Sequence, residues 1–248
     1  DINGRRVGDG HPVYVIAEIS GNHNGSFDRA VQILEECAAA GVDAIKLQTY
    51  TADTLTIDSE NDIFKVGDNN TWAGRTLYDL YEEAHTPWDW QPKLKQRADE
   101  LGVHLFSSPF DFSAVDFLDE MNVPAFKVAS FECIDAPLVG YMASKGKPIL
   151  MSTGMATMEQ IDRAVRAAQE NGAGIGNLLL FKCVSSYPAP PESMNLKTIS
   201  HLTDTYDLPV GLSDHTLGTH IPVAAVTLGA VAIEKHVTLD RSEGGPDA

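Results

Sequence analysis

Two histidines stand at equivalent points of two short apolar stretches, PVGLSDHT at 209–216 and AIEKHVT at 232–238. In extended backbone the side-chain period of two puts Ser213 with His215, and Glu234 with His236, on shared faces. If the strands are parallel neighbours joined by the helix-like stretch 218–228, their carboxyl ends lie side by side and two imidazoles can reach one metal ion. Either histidine alone would pass for a half-buried strand residue. Paired at matching strand ends, they favour a ligand pair.

Lys46 and Lys127 carry a second kind of chemistry. Ammonium charge together with hydroxyls from Ser130, Ser152 and Ser213 suits a phosphate or carboxylate, because several donors offset the desolvation of an anion. Each also has a plainer role open to it: strand-end lysines reach for water and strand-end serines cap the next helix. Glu18, Gln48, Ser107, Ser108, Glu132, Thr153, Tyr187, Asp214 and Glu234 fall at comparable points of other apolar runs. So many costly polar groups converging on one mouth point to an active site that combines an anion cradle with a divalent metal polarising a carbonyl.

Positioning them requires a repeated strand–helix unit, and the sequence supplies one. The run 13–19 reads as a buried strand, and Ser26 caps a helix ending near residue 40, with Gly41 as its stop. Strands follow at 43–50, 103–108, 125–130, 148–153, 178–184 and in the two histidine stretches. Helical patterns fill 88–101, 113–121, 136–143, 158–170, 196–205 and 218–228. Eight strands, each but the last followed by a helix, predict a (β/α)8 TIM barrel as a single domain over 1–248, with no Gly-x-Gly-x-x-Gly after the first strand to favour a dinucleotide fold. The eighth helix is not in the sequence. The long connection 51–87, helix-like over 75–84, reads as a lid or recognition element, with Trp72 as a candidate apolar surface for the substrate.

Composition fits this picture. The chain is 43% hydrophobic and 21% charged, with 35 acidic against 18 basic residues and a net charge of −17, which argues against nucleic acid and anionic membranes as partners. No apolar run approaches the roughly 20 residues of a membrane span, and no signal peptide is evident. Cys37, Cys133 and Cys183 lack metal-type spacing, which suggests reduced thiols and a cytoplasmic protein.

Read together, IAEISGNHNGS (16–26), DAIKLQTY (43–50), FSSPFD (106–111), FKVASFE (126–132), MSTGM (151–155), SSYPAPPE (185–192), GLSDHT (211–216), IEKHVTLDR (233–241) and GGPD (244–247) resemble the sialic acid synthase family along essentially the whole chain. Its members condense phosphoenolpyruvate with an N-acetylated hexose. The stretches LQTYTADTLTID and NTWAGRTLYDLYEEAHTPWDW most resemble the branch that makes pseudaminic acid from 2,4-diacetamido-2,4,6-trideoxy-altrose; the N-acetylneuraminate and legionaminic acid branches are the near alternatives. The resemblance implies His215 and His236 as ligands of Mn2+ or Mg2+. It also implies Lys46, Lys127, Ser130, Ser152 and Ser213 around phosphoenolpyruvate, and Glu18, Gln48, Tyr187 and Asp247 around sugar and metal, with Glu132 placed for proton transfer. Ser185 departs from the neuraminate branch, which has asparagine there. The family's C-terminal antifreeze-like domain, which reaches over the partner barrel of a homodimer, is not in this sequence, so the chain by itself is expected to be weakly active or inactive.

Overall fold

Apolar runs of five or six residues recur because each strand is covered on both sides, by helices without and by side chains within, so burial is nearly continuous along it. In the computed structural model, which describes residues 1–67 and 74–245, the strands are β1 (Tyr14–Glu18), β2 (Ala44–Thr49), β3 (His104–Pro109), β4 (Phe126–Val128), β5 (Ile149–Ser152), β6 (Leu178–Cys183), β7 (Val210–Asp214) and β8 (Ala232–His236). All pair in parallel with their sequence neighbours, and β8 returns to β1, which closes the barrel. The expected TIM barrel is the observed one.

The helices begin and end where side chains can satisfy their free backbone groups. Helix α1 (Phe27–Ala39) is capped by the Ser26 hydroxyl, which accepts from the Arg29 amide. The connection between β2 and β3 contains α2 (Ala52–Leu55) and α3 (Leu77–Ala84), and then α4 (Gln91–Leu101), which stops at Gly102 in the left-handed conformation. There follow α5 (Phe112–Glu120), α6 (Ala136–Ser144), α7 (Met158–Glu170), α8 (Thr198–Tyr206) and α9 (His220–Thr227). After β8 comes a 3-10 turn at Arg241–Glu243 and, among the described residues, no further helix. None of the described helices is long and apolar enough to cross a membrane.

Three boundaries differ from the sequence reading in ways that bear on the site. β4 has only three residues, so Ser130 and Glu132 sit beyond it, Glu132 opening a 3-10 turn at Glu132–Ile134. β7 ends at Asp214, which places His215 on the loop just past the strand instead of within it. The expected helix over 88–101 divides into a 3-10 turn at Trp88–Trp90 and α4, since Pro92 suits the first turn of a helix but not its interior.

Register aligns the polar strand ends in one layer. Glu18 stands opposite Lys46 on one side and His236 on the other, and Ser213 stands opposite both Cys183 and Glu234. Below that layer the barrel is filled by side chains such as Phe106 and Phe181, both fully buried. Gly211 is part of the fit: a Cβ there would lie 2.7 Å from the Ala232 carbonyl oxygen and 2.7 Å from the Phe181 ring. Gly211→Ala is expected to cost about 1–3 kcal/mol through overpacking, seen as a melting midpoint lower by roughly 2–4 °C per kcal/mol; an unchanged midpoint would mean that β7 and β8 can part without cost.

Candidate active site

At the carboxyl ends of the strands lies a cavity of about 350 Å3, with Lys46, Lys127, Ser130, Ser152, Ser213 and Glu234 among its lining. Both ammonium groups are buried. Lys46 Nζ is 2.9 Å from Glu18 Oε2 and 3.3 Å from Glu234 Oε1, and Lys127 Nζ is 3.7 Å from that same Glu234 oxygen. Lys127 also donates to Ser152 Oγ at 2.6 Å and to the Val128 carbonyl at 3.2 Å, while Ser213 donates to Glu234 Oε1 at 3.1 Å. The two lysines titrate differently for this reason. Burial lowers both, but the two carboxylates beside Lys46 outweigh it and raise that group, whereas Lys127, with one more distant carboxylate, stays lowered. Burial would raise Glu234, yet Lys127 and Lys46 hold its carboxyl below the usual range.

Glu18 differs from the other residues of the ring. Its side chain is fully buried, accepts from Gln48 Nε2 at 3.0 Å and pairs with Lys46, and it does not line the cavity, although Gln48 does. Its direct effect is to orient these two neighbours. Gly154 brings backbone to the cradle: its amide donates to Ser130 Oγ at 3.3 Å, and a Cβ there would stand 2.7 Å from Ser185 Oγ and 2.8 Å from Ser130 Oγ.

His215 and His236 meet as expected, with ring centroids 5.2 Å apart. Tyr187 stacks on His215 at 4.1 Å and meets His236 edge-on at 5.6 Å. His215 Nδ1 donates to the Val184 carbonyl at 2.7 Å, which leaves the Nε2 lone pair for a ligand. A second, outer cavity of about 490 Å3 adjoins the pair and is lined by the same three rings, with Thr216, Lys235 and Arg241 farther out. No cluster of three or more His, Cys, Asp or Glu suited to a metal occurs among the described residues. Two imidazoles beside open space therefore fit a divalent ion whose remaining positions are left to water and substrate, and do not fit a closed structural site.

Glu132 lies on the β4 side of the cavity. Its Oε2 is buried without a hydrogen-bond partner, and burial pushes the carboxyl up to about 7 despite the nearby lysines. Two further groups carry no assigned role in the sequence reading. Ser108 Oγ lines the cavity, buried and with no hydrogen-bond partner, and so adds a donor. Cys183, free like Cys37 and Cys133, sits 3.9 Å from His215 Nδ1; burial would raise its thiol, but His215 outweighs that and lowers it to about 7. Ser108 was legible as a strand-end hydroxyl, whereas nothing in the spacing tells Cys183 from a core thiol. Trp72 and Asp247 lie outside the described residues.

The NeuB family matches residues 33–248. The chain belongs to the NeuB family. It is 42% identical over 236 residues to the pseudaminic acid synthase of Campylobacter jejuni subsp. jejuni, covering 95% of this chain and 68% of that protein. To the N,N'-diacetyllegionaminic acid synthase of Legionella pneumophila it is 35% identical, covering 99% of this chain and 70% of the relative. Among solved structures, the N-acetylneuraminic acid synthetase of Leptospira borgpetersenii, in complex with citrate, superposes with a TM-score of 0.86 at 32% identity, over all of this chain and 80% of that one. This NeuB-family chain is an enzyme, a phosphoenolpyruvate-condensing synthase of the transferase class.

The raised Glu132 carboxyl has a measurable consequence for stability. Its folded value of about 7 exceeds the ordinary 4.5, so its contribution is fully present below pH 4.5 and is lost as pH rises through about 7. Glu132→Gln should therefore gain on the wild type as pH rises, by up to about 3 kcal/mol above neutrality in urea unfolding. Parallel pH profiles for the two proteins would show that Glu132 is not held neutral.

Proposed function

We propose that this NeuB-family enzyme condenses phosphoenolpyruvate with 2,4-diacetamido-2,4,6-trideoxy-altrose to give pseudaminic acid and phosphate. The observation that carries the reading is the meeting, in one cavity, of two buried lysines with the His215–His236 pair. Similarity at 42% identity to a pseudaminic acid synthase supports the branch.

Lys46 and Lys127 face the phosphate and carboxylate, the hydroxyls of Ser108, Ser130 and Ser152 donate to their oxygens, and Ser213 lines the same cradle while donating to Glu234. Glu18 keeps Lys46 and Gln48 in place, so it is a positioning residue. Gln48, Tyr187 and Asp247 belong to the sugar. His215 and His236 would hold a divalent ion, Mn2+ or Mg2+, which when bound supplies Lewis-acid polarisation of the open-chain aldehyde. C3 of phosphoenolpyruvate forms the new carbon–carbon bond to the aldehyde carbon. Water adds at C2, and phosphate leaves with cleavage of its C–O bond. Glu132, poised near neutrality, can accept or return a proton in these steps. The reading also includes a homodimer for the intact protein and a cytoplasmic setting, in keeping with three free thiols.

A phosphate-release assay on the intact protein with manganese tests this, offering the altrose-type diacetamido sugar and N-acetylmannosamine in parallel. Release is expected with the first sugar only, and His236→Ala should reduce it by at least about a hundredfold if the ion supplies several kcal/mol to the transition state. Release with N-acetylmannosamine alone would move the enzyme to the neuraminate branch; release with neither would leave a sugar-binding barrel without this chemistry.

A further inference from the structure

The cavity is chemically divided. Its floor carries lysines, hydroxyls and Glu234, whereas the wall on the β2–β3 side is apolar and aromatic: Tyr50, Leu55, Tyr81 and Phe110. Tyr50 and Phe110 follow β2 and β3, and Leu55 and Tyr81 come from α2 and α3 of the connection between those strands. The rings brace one another edge to face. Tyr50 meets Tyr81 at 5.7 Å and 77°, and Phe110 at 5.4 Å and 82°. Tyr78 Oη donates to Asp53 Oδ1 at 3.1 Å, tying α3 to α2, so the two short helices form one braced unit.

Position within the barrel gives this wall a specific relation to the histidines. In a closed ring of eight, β3 lies four places from β7, directly across the mouth. Phe110 therefore faces the barrel axis from the side opposite His215. A ligand spanning the cavity with a carbonyl at the histidines presents its other end to the aromatic side. An anion is not favoured there, since an apolar wall offers no compensation for its desolvation. A methyl group is, because it loses only water-exposed apolar surface.

We propose that Tyr81 and Leu55, together with Tyr50 and Phe110, form the acceptor-specificity wall of this enzyme, seating a methyl-bearing substituent at the end of the sugar remote from its aldehyde. The wall rests on the reading given above for the reaction and adds the contact that selects the acceptor. A methyl can come from an acetamido group or from a deoxy carbon. Both occur in the altrose-type sugar; at positions 4 and 6 N-acetylmannosamine has hydroxyls instead.

Steady-state kinetics of the intact protein with manganese, varying each substrate in turn, separate these possibilities. For Tyr81→Ala the KM of the altrose-type sugar should rise about tenfold or more, the range a buried methyl contact commands, with a smaller rise for Leu55→Ala. The KM for phosphoenolpyruvate should stay within about twofold, since its charged groups engage the floor. Tyr81→Phe, which keeps the ring, should restore the wild-type value. A 6-deoxy analogue of N-acetylmannosamine assigns the source: a gain over N-acetylmannosamine in the wild type that Tyr81→Ala abolishes places the deoxy methyl on the wall, and absence of gain places the acetamido methyl there. A melting midpoint and a phosphoenolpyruvate-induced thermal shift equal to wild type would show the variants folded and the floor intact. An active wild type whose Tyr81→Ala and Leu55→Ala variants keep its sugar KM, or raise both substrates' KM alike, would overturn the wall alone. A wild type that releases phosphate with no sugar would remove the reaction and the wall together.

Discussion

One carboxylate oxygen organises the mouth of this barrel. Glu234 Oε1 lies within 3.3 Å of Lys46, 3.7 Å of Lys127 and 3.1 Å of the Ser213 hydroxyl, and all three partners come from other strands. Taking these charges out of water costs several kcal/mol per ion unless opposite charge and hydrogen bonds are in place. Together with Glu18 they are: two ammonium groups against two carboxylates, at the ends of β1, β2, β4 and β8. Each charge alone would be driven neutral or out to solvent. The parallel register that sets Glu18 beside Lys46 and Ser213 beside Glu234 is therefore a condition for having charged groups there at all.

The histidine pair borders that network, and the Glu234 carboxylate acts electrostatically on both rings. His215 donates its Nδ1 proton to the Val184 carbonyl, and the Tyr187 ring lies over it, so backbone and stacking orient the imidazole, with the Cys183 sulfur beside the same nitrogen. Burial would lower this imidazole, but Cys183, the Val184 carbonyl and Glu234 outweigh it and raise the group, so a metal ion binding there competes with a proton. Lysines for an anion and imidazoles for a metal thus share one cavity, the lysines held by carboxylates and His215 by a carbonyl and an aromatic ring.

The period of two made much of this visible beforehand. Ser213 with His215, and Glu234 with His236, could be placed on common faces from spacing alone, and the βα repeat fixed which ends they share. The part that spacing does not encode is pairing between strands distant in sequence. Glu18 reads as one more polar strand end, yet its carboxylate serves Lys46 and Gln48 and is sealed from the cavity. Glu234 reads as a neighbour of His236, yet it holds both lysines. Cys183 reads as a core thiol, yet it touches His215. β4 came out shorter than its apolar run because Ser130 and Glu132 turn away to line the mouth. In the long connection the sequence drew attention to Trp72, while among the described residues it is Tyr81 and Leu55 that reach the cavity.

The internal pairing also accounts for how a chain of net charge −17 can offer a seat to an anion. Charges on the outer surface are screened over about 8–10 Å at ordinary ionic strength, whereas groups inside the cavity are not. What an entering phosphate meets is the local set, in which both lysines line the cavity. All four residues sit on barrel strands, but Lys46 and Lys127 line the cavity while Glu18 lies behind them. An arriving anion need only share protons already ordered for it. The carboxylates favour the charged form of Lys46 outright and offset part of the burial cost of Lys127, so the fold aims both lysines before any substrate binds.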